Sequence, residues 1–99
     1  MEIKVHSIKF DADSKLLEFI DQKVNKLLLY SDYIISAEVF LRLENAEDKE
    51  NKVCEIRLEI PGSPVFAKKQ SASFEEATDN VIEALRKQLL KHKAKLKKV

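Results

Sequence analysis

Residues 35–44 of this 99-residue chain read ISAEVFLRLE, and this stretch decides the fold. Its odd-numbered residues are all aliphatic, whereas its even-numbered residues are mainly polar or charged. This period of two predicts a strand with one buried face and one face in solvent. Residues 54–60, CEIRLEI, repeat the alternation, with Cys54, Ile56, Leu58 and Ile60 directed inward. A sheet built from such strands requires a layer of helices on one face only.

Two amphipathic helices are predicted to supply that layer. Across residues 15–30 the apolar positions recur at spacings of three and four, and Asp13 or Ser14 can cap the first turn. Residues 73–97 begin with SFEE, a capping box with Ser73 as N-cap. The first apolar stripe consists of Leu16, Leu17, Ile20, Val24, Leu27 and Leu28. The second consists of Phe74, Val81, Leu85, Leu89 and Leu96, with Ala77, Thr78 and His92 on or beside it.

Two further strands complete the predicted architecture. Residues 3–7 alternate ahead of the first helix, and a short strand over residues 65–70 follows the turn PGSP, in which Gly62 supplies a positive φ. The fold class is therefore α+β, in the order β-α-β-β-β-α: a four-stranded mixed sheet with two helices packed on one face. The first two strands should be parallel and the other pairs antiparallel. The last helix, if it runs over residues 74–97, is about 36 Å long at 1.5 Å per residue, so its basic end should project past the sheet or at least reach its rim.

The residues that could carry chemistry argue against an enzyme, a metal site and a cofactor. Cys54 is the one cysteine, so no internal disulfide can form, and its register places it in the core. His6 and His92 have no ligand at metal spacing, and the single glycine leaves no phosphate-cradling loop. The length suits one domain. No apolar run indicates a signal peptide or a membrane span, so a cytoplasmic location is expected.

Charge is distributed unevenly along the chain. The formal net charge is +1, but residues 84–99 carry seven of the 18 basic groups and none of the 17 acids, which leaves −6 on residues 1–83. Cations at a helix C-terminus complement the macrodipole, which accounts for about two or three of the seven. The asymmetry otherwise predicts a polyanionic partner, because each Lys or Arg can neutralise a phosphate and release counterions. Lys68 and Lys69 add charge near the fourth strand but are unremarkable by themselves.

The outer face of the sheet is a poor platform for stacking bases. Phe40 and Phe66 lie there among acids, and pairing of those acids with Arg42 and Arg57 is the expected arrangement. A helix that presents lysines instead suits the phosphate-lined surface of folded RNA, which is recognised by shape. An α-β-β-β-α core with a basic second helix is also the plan of double-stranded-RNA-binding domains. Tyr30 and Tyr33, near the exit of the first helix, are expected to pack rather than stack on a base.

Two stretches resemble a known family. Residues 73–98, SFEEATDNVIEALRKQLLKHKAKLKK, are similar to the last helix of the ribosome hibernation promoting factors, also called ribosome-associated inhibitor A or sigma-54 modulation proteins. That helix shows an L-[RK]-x-Q-L-x-K-x-K centre, which residues 85–93 match in charge and spacing. Residues 19–44, FIDQKVNKLLLYSDYIISAEVFLRLE, resemble the family's first helix and second strand. The resemblance covers essentially the whole chain in order.

This resemblance implies the same β-α-β-β-β-α fold and a specific partner, the small ribosomal subunit. Family members bind its rRNA in the channel between head and body where messenger and transfer RNA sit, which blocks translation under stress or in stationary phase. The family's RNA-contacting positions match Lys23, Lys26, Arg86, Lys87, Lys91 and Lys93, with His92 beside them. No small-molecule substrate, cofactor or membrane is implied, and a monomer is expected for the free protein. Residues 1–99 are expected to form a single ribosome-binding domain of the short type, without the dimerisation domain of longer members.

Two alternatives remain open at the level of sequence. A general double-stranded-RNA-binding module would bind naked duplex RNA as tightly as it binds ribosomal subunits. A protein-interaction module, such as a modulator of transcription, would bind a protein partner with little dependence on salt. The loop at residues 44–51 is acidic, so it is expected to point away from RNA.

Overall fold

The computed structural model describes residues 2–44, 49–62 and 64–97, with side chains as far as residue 91. The elements follow the order β-α-β-β-β-α, and a short 3₁₀ turn, Leu27–Leu29, extends the first helix. Their bounds are β1 Glu2–Ser7, α1 Ser14–Lys26, β2 Ser36–Leu43, β3 Lys52–Glu59, β4 Val65–Ser71 and α2 Phe74–Lys97. No helix within these ranges is both long enough and apolar enough to cross a membrane.

The four strands form one mixed sheet in the order β1-β2-β3-β4. β1 pairs with β2 in parallel, and the register aligns Val5 with Val39. β2 and β3 pair antiparallel with Val39 opposite Ile56, and β3 and β4 pair antiparallel with Ile56 opposite Ala67. The predicted topology is confirmed. β1 and β4 are the two edge strands, and α2 packs beside β4.

The core lies between the inner face of the sheet and the two helices. Val39, Ile56 and Leu58 from the sheet are fully buried, as are Ile20 of α1 and Leu85 of α2. Burying one such aliphatic side chain contributes roughly 1.5–3 kcal/mol, so this layer supplies the main force that holds the helices to the sheet. The cluster joins residues of β2, β3, β4 and both helices.

Both helices begin at the predicted caps. The Asp13 side chain, rather than that of Ser14, accepts from the backbone N–H of Leu16, at 2.8 Å from Oδ1 to N. The Ser73 hydroxyl accepts from the backbone N–H of Glu76 at 3.1 Å. Each cap satisfies a helix donor that would otherwise have no intrahelical partner. α2 then continues without interruption to Lys97.

Three residues that the hydrophobic periodicity assigned to the core are exposed, one from the helical spacing of α1 and two from the alternation around β2. Leu17 on α1 is 39% exposed, because α1 buries only one narrow stripe and Leu17 lies on its solvent side. Ile35 precedes β2 and is 54% exposed, whereas Ile34 is buried in its place. Leu43, the last residue of β2, is 52% exposed. At both ends of β2 the helix layer no longer covers the inner face, so the alternation continues beyond the buried part of the strand.

The start of β3 differs from the prediction. β3 begins at Lys52, two residues before the predicted start, and its ladder is extended by a hydrogen bond from the Glu44 N–H to the Asn51 carbonyl at 2.9 Å. Gly62 has φ +100°, as the predicted turn requires. The prediction that the acidic loop at 44–51 points away from RNA depends mainly on residues 45–48, which lie outside the described residues.

Candidate nucleic-acid interface

The exposed cations of α2 lie on the side of the helix that faces away from the core. The buried stripe of α2 continues to Leu85 and Leu89 and fixes the rotation of the helix on the sheet. Lys87 and Lys91 are one helical turn apart on the solvent side, and both are exposed. Among the side chains that the structure describes, neither lysine takes part in an ion pair. Two predicted RNA-contacting cations are therefore brought together and available.

Arg86 is held by Glu83 of α2 and by Tyr30, which directly follows the 3₁₀ turn after α1. Its guanidinium donates to both carboxylate oxygens of Glu83, one turn earlier on α2, with Nε 3.1 Å from Oε2. The same guanidinium lies 5.8 Å from the centroid of the Tyr30 ring, a cation–π distance. The Glu83 contact raises the pKa of Arg86, and the hydrogen bond from Arg86 lowers the pKa of Glu83. Arg86 is therefore positioned, but its charge is already largely matched by Glu83.

Lys23 is similarly engaged, whereas Lys26 is not. The Lys23 ammonium lies 3.1 Å from Oδ1 of Asp79 on α2 and 5.3 Å from the centroid of the Phe19 ring. This pair joins the two helices, although a part-exposed ion pair contributes only about 0–1 kcal/mol. Lys26, at the end of α1, is exposed and has no ion pair among the described side chains. Of the two predicted cations of α1, Lys26 is therefore free to contact a partner, whereas Lys23 is already paired with Asp79.

The remaining predicted site residues are His92 and Lys93. The backbone of α2 continues helical through both positions, so both belong to the same basic helix as Lys87 and Lys91. Their side chains lie outside the described part of the chain. Their assignment as RNA-contacting residues stays a prediction.

Sequence reasoning missed the acids that hold these cations. The Glu83–Arg86 contact follows an i, i+3 spacing that is visible in the sequence. The Asp79–Lys23 pair joins residues far apart in the chain, so it depends on how the two helices pack. Lys69 was likewise treated as an ordinary surface residue, but it lines a depression together with Lys87.

The outer sheet face is charge-paired, as predicted for Arg42. The Arg42 guanidinium lies 3.5 Å from Oε1 of Glu55 across the β2–β3 ladder. His6 stacks on Phe40, with 5.0 Å between ring centroids, and its Nε2 lies 2.8 Å from Oε2 of Glu38. Arg57 makes no ion pair with the described residues, so the pairing predicted for it is absent there. The contacts that the structure does show occupy this face with its own side chains, which supports the view that it is no platform for bases.

Cys54 is a core residue, as predicted. It is fully buried on the inner face of β3, and its Sγ lies 3.6 Å from the Thr78 hydroxyl, which donates to the Phe74 carbonyl at 2.7 Å. Burial raises the pKa of the Cys54 thiol from 9.0 to about 11, against a smaller lowering by the Thr78 hydrogen bond. A buried, protonated thiol is a poor nucleophile. No cluster of three potential metal ligands occurs within the described ranges.

The raised pKa predicts that stability falls at alkaline pH. The unfolded thiol ionises near pH 9 and the native thiol only near pH 11, so between these values the native state binds more protons. The free energy of unfolding should therefore decrease as pH rises from 9 to 11, by roughly 2–3 kcal/mol from this group. Urea unfolding at a series of pH values measures the decrease. Cys54→Ala is the control, and it should show a shallower decrease; equal slopes for both proteins would contradict the assignment.

The fold and this surface define a class of protein. A single-layer sheet covered by two helices carries an unreactive core cysteine, a charge-paired outer face and a helix whose end presents exposed cations. None of these features is suited to catalysis, whereas exposed cations on a rigid helix are suited to binding. The class is an α+β protein with a basic surface suited to binding an anionic partner.

Comparison with known proteins makes the family explicit. The chain belongs to the family described as Sigma 54 modulation protein / S30EA ribosomal protein, which matches residues 3–97. The predicted resemblance and the non-enzymatic assignment are confirmed by this membership.

Individual relatives match most of this chain. The chain is 30% identical over 97 residues to the ribosome hibernation promoting factor of Escherichia coli strain K12, with 98% of each chain covered. It is 31% identical over 90 residues to the ribosome hibernation promotion factor of Deinococcus radiodurans, and this match covers 89% of the chain but 47% of that relative. A ribosomal subunit interface protein from Coxiella burnetii has the same fold, with a TM-score of 0.85 at 23% identity over 95% of this chain and 99% of that one.

Proposed function

We propose that this protein is a ribosome hibernation factor. It binds the rRNA of the small ribosomal subunit in the channel for messenger and transfer RNA, and it thereby blocks translation under stress or in stationary phase. Family membership and the names of the relatives support its association with ribosome hibernation. The protein acts in the cytoplasm, with residues 1–99 as a ribosome-binding domain, and it is monomeric when free. It needs no cofactor, metal or small-molecule substrate.

One observation carries the proposal of RNA binding. The acids of α2 end at Glu83, and beyond that residue the helix presents Lys87 and Lys91, exposed and without ion pairs among the described side chains. Of the acids up to that point, Asp79 and Glu83 are paired with Lys23 and Arg86, whereas Glu75 and Glu76 in the first turn have no ion pair among the described side chains. The helix therefore changes along its length from an acidic first half to a basic second half. An unneutralised row of lysines is suited to a partner with closely spaced phosphates.

The mechanism is electrostatic and steric. Each lysine that approaches a phosphate releases counterions, which supplies affinity without reading sequence. The lysines are carried by a helix anchored in the core through Leu85 and Leu89, so the whole domain is held as one rigid body. A rigid domain seated in the channel excludes messenger and transfer RNA by occupying their place. Lys23, Lys26, Arg86, Lys87, Lys91, His92 and Lys93 are the proposed contact residues.

Salt dependence tests this mechanism. We expect affinity for purified small subunits to fall steeply and log-linearly with salt, with a slope of roughly −0.7 to −0.9 for each phosphate contacted. About four to six contacts would then give a slope of roughly −3 to −5. Equilibrium binding between 50 and 300 mM salt measures it. A flat response would contradict phosphate binding and favour docking on a ribosomal protein.

A competition experiment distinguishes binding to the ribosome from binding to duplex RNA in general. Small subunits should displace the labelled protein from naked duplex RNA, and an equal concentration of duplex should not displace it from subunits. Equal competition would support a general double-stranded-RNA binder instead. Protection of the subunit's channel from chemical probing in the complex tests the proposed location, and protection confined to another surface would reject it.

A further inference from the structure

An open depression of about 440 Å³ lies between the edge strand β4 and α2, on the side of α2 away from α1. Lys69 of β4 and Lys87 of α2 line it from its two sides, together with Asn80, Glu83 and Ala84. Both lysines are exposed, and neither has an ion pair among the described side chains. Lys69 belongs to no motif of the sequence, so this pairing arises from the packing of α2 against β4.

The walls of the depression are tied together on either side of the two lysines. The Asn80 amide donates to the Ser71 hydroxyl at 3.3 Å, and the Gln88 amide donates to the Phe66 carbonyl at 2.9 Å. Ala77 and Val81 of α2 are fully buried below this region. The two backbones that carry Lys69 and Lys87 are thus fixed relative to each other. A site built on such elements is better preorganised than one on a loop.

The charge balance of the depression is positive although one wall is acidic. Glu83 is the acid, and both of its carboxylate oxygens already accept from Arg86. Glu83 is thus matched mainly by Arg86, and a weaker attraction from Lys87 also lowers the pKa of Glu83. Neither Lys69 nor Lys87 forms an ion pair among the described side chains, so the depression keeps an excess of positive charge. Asn80 adds a neutral donor, since its amide carries a second N–H that Ser71 does not use. An anion entering from solvent would meet two cations and an amide.

We propose that this depression binds a backbone phosphate of the rRNA, with Lys69 and Lys87 contacting the same phosphodiester group from two sides. The inference rests on the proposed function and extends its interface from α2 to the edge of the sheet. Lysine contacts phosphate as a point charge without demanding a fixed orientation, so it suits a backbone more than a shaped ligand. Lys91 lies about 6 Å further along α2, where a neighbouring phosphate can be contacted. A polymer of phosphates is therefore favoured over a single acidic side chain.

The edge strand provides a matched control. Lys68 and Lys69 are adjacent, both exposed and equal in charge, but the pleat directs them to opposite faces. Lys68 lies opposite Glu55 on the outer face, whereas Lys69 lies opposite Cys54 on the face that carries α2. Removal of either lysine changes the net charge equally. Any difference in binding between the two variants is therefore caused by the position of the lysine and not by its charge.

Binding to small subunits should separate the two variants. Lys69→Ala should weaken binding roughly three- to tenfold at 0.1 M salt and reduce the magnitude of the salt slope by up to about 0.7–0.9, because the shared phosphate is held in place only when both lysines are present. Lys68→Ala should stay within about twofold of the unchanged protein. In the double variant with Lys87→Ala, the further loss from Lys69→Ala should be smaller than its loss alone, because the two lysines share one phosphate. Unfolding midpoints should be unchanged for all variants.

The possible results are distinguishable. Equal effects of Lys68→Ala and Lys69→Ala would reject the depression and indicate diffuse attraction, while the proposed function would stand. An unchanged Lys69→Ala variant beside a weakened Lys87→Ala variant would also reject it. A loss with no change in salt slope would assign Lys69 to contact with a protein. Failure of the unchanged protein to bind subunits would overturn the proposed function and this inference with it.

Discussion

Replacement of Arg86, Lys87 and Lys91 together by glutamate should abolish co-sedimentation with small ribosomal subunits. Three phosphate contacts would be lost and three repulsive charges introduced, so the expected loss of affinity is on the order of 10³-fold or more at 0.1 M salt. Lys87 and Lys91 are exposed, and Arg86 contacts Glu83 and Tyr30 without entering the core. The fold should therefore be retained, with a cost of a few tenths of a kcal/mol where Glu83 meets a like charge one turn away. Circular dichroism and sedimentation through a sucrose cushion measure the two properties.

A second triple variant with the same change in net charge distinguishes the effect of the α2 site from the effect of net charge. Lys4→Glu, Lys15→Glu and Arg57→Glu together change the net charge by the same amount, at exposed positions on β1, α1 and β3. These positions lie outside the proposed interface, so binding should fall much less than in the first variant. If both triple variants lose binding equally, the partner senses only net charge. If neither loses binding, the assignment of the site to α2 is wrong.

Leu85→Ala should destabilise the protein by about 2–5 kcal/mol. Leu85 is fully buried where α2 meets the sheet, so truncation leaves a cavity that its neighbours in the core fill only partly. A domain of this size is stable by roughly 5–15 kcal/mol, so the loss is a large share of the total. Urea unfolding should show a lower midpoint with an unchanged m-value. Thermal unfolding should show a midpoint lower by roughly 10 °C or more, at about 4–8 °C per kcal/mol.

Leu90→Ala is the matched control on the same helix. Leu90 is 43% exposed and lies outside the buried stripe, so the same change of side chain should cost well under about 1 kcal/mol. Similar costs for Leu85→Ala and Leu90→Ala would contradict the orientation of α2. That orientation also places Lys87 and Lys91 in solvent, so the experiment tests the geometry of the proposed site without RNA.

Much of the fold follows from local periodicity. The alternation in β1, β2 and β3 and the short strand after the PGSP turn predicted the four strands correctly. The three- and four-residue spacing predicted the two helices, and the order of all six elements was also correct. The caps were predicted as well, because Ser73 and Asp13 act on backbone donors three residues away. Such features depend on residues that are neighbours in the chain, so the sequence displays them directly.

The residues that were wrongly predicted to be buried lie where the hydrophobic periodicity continues beyond the layer that the helices cover. Ile35, Leu17 and Leu43 have the correct chemistry for a core, but the opposing surface does not reach them. How far a helix covers a sheet depends on its crossing position, which no local pattern records. β3 was predicted two residues short for a related reason, since its start is set by the pairing of Lys52 with Leu43 and with Ser71.

The candidate site also has some features that the sequence predicts and others that depend on the packing of distant elements. Sequence charge alone located the basic half of α2, and i, i+3 spacing accounts for the contact of Glu83 with Arg86. The pairing of Lys23 with Asp79 and the approach of Lys69 to Lys87 join elements separated by tens of residues. Among the proposed contact residues whose side chains are described, Lys26, Lys87 and Lys91 are available and Lys23 and Arg86 are matched. For Lys23, that distinction was not visible before the helices were placed, because its partner Asp79 is on the other helix.

By itself, the sequence determined the α+β class, the order of the elements and the end of the molecule that carries unneutralised charge. These properties depend on side-chain periods and net charge, which are sums over neighbouring residues. Tertiary structure alone decided that Lys23 is already paired with Asp79 and that β4 contributes a lysine to the face of α2. The reason is physical: an ion pair forms over about 4 Å and depends on the relative placement of elements. Placement is set by core packing among residues distant in the chain, and only the folded molecule brings them together.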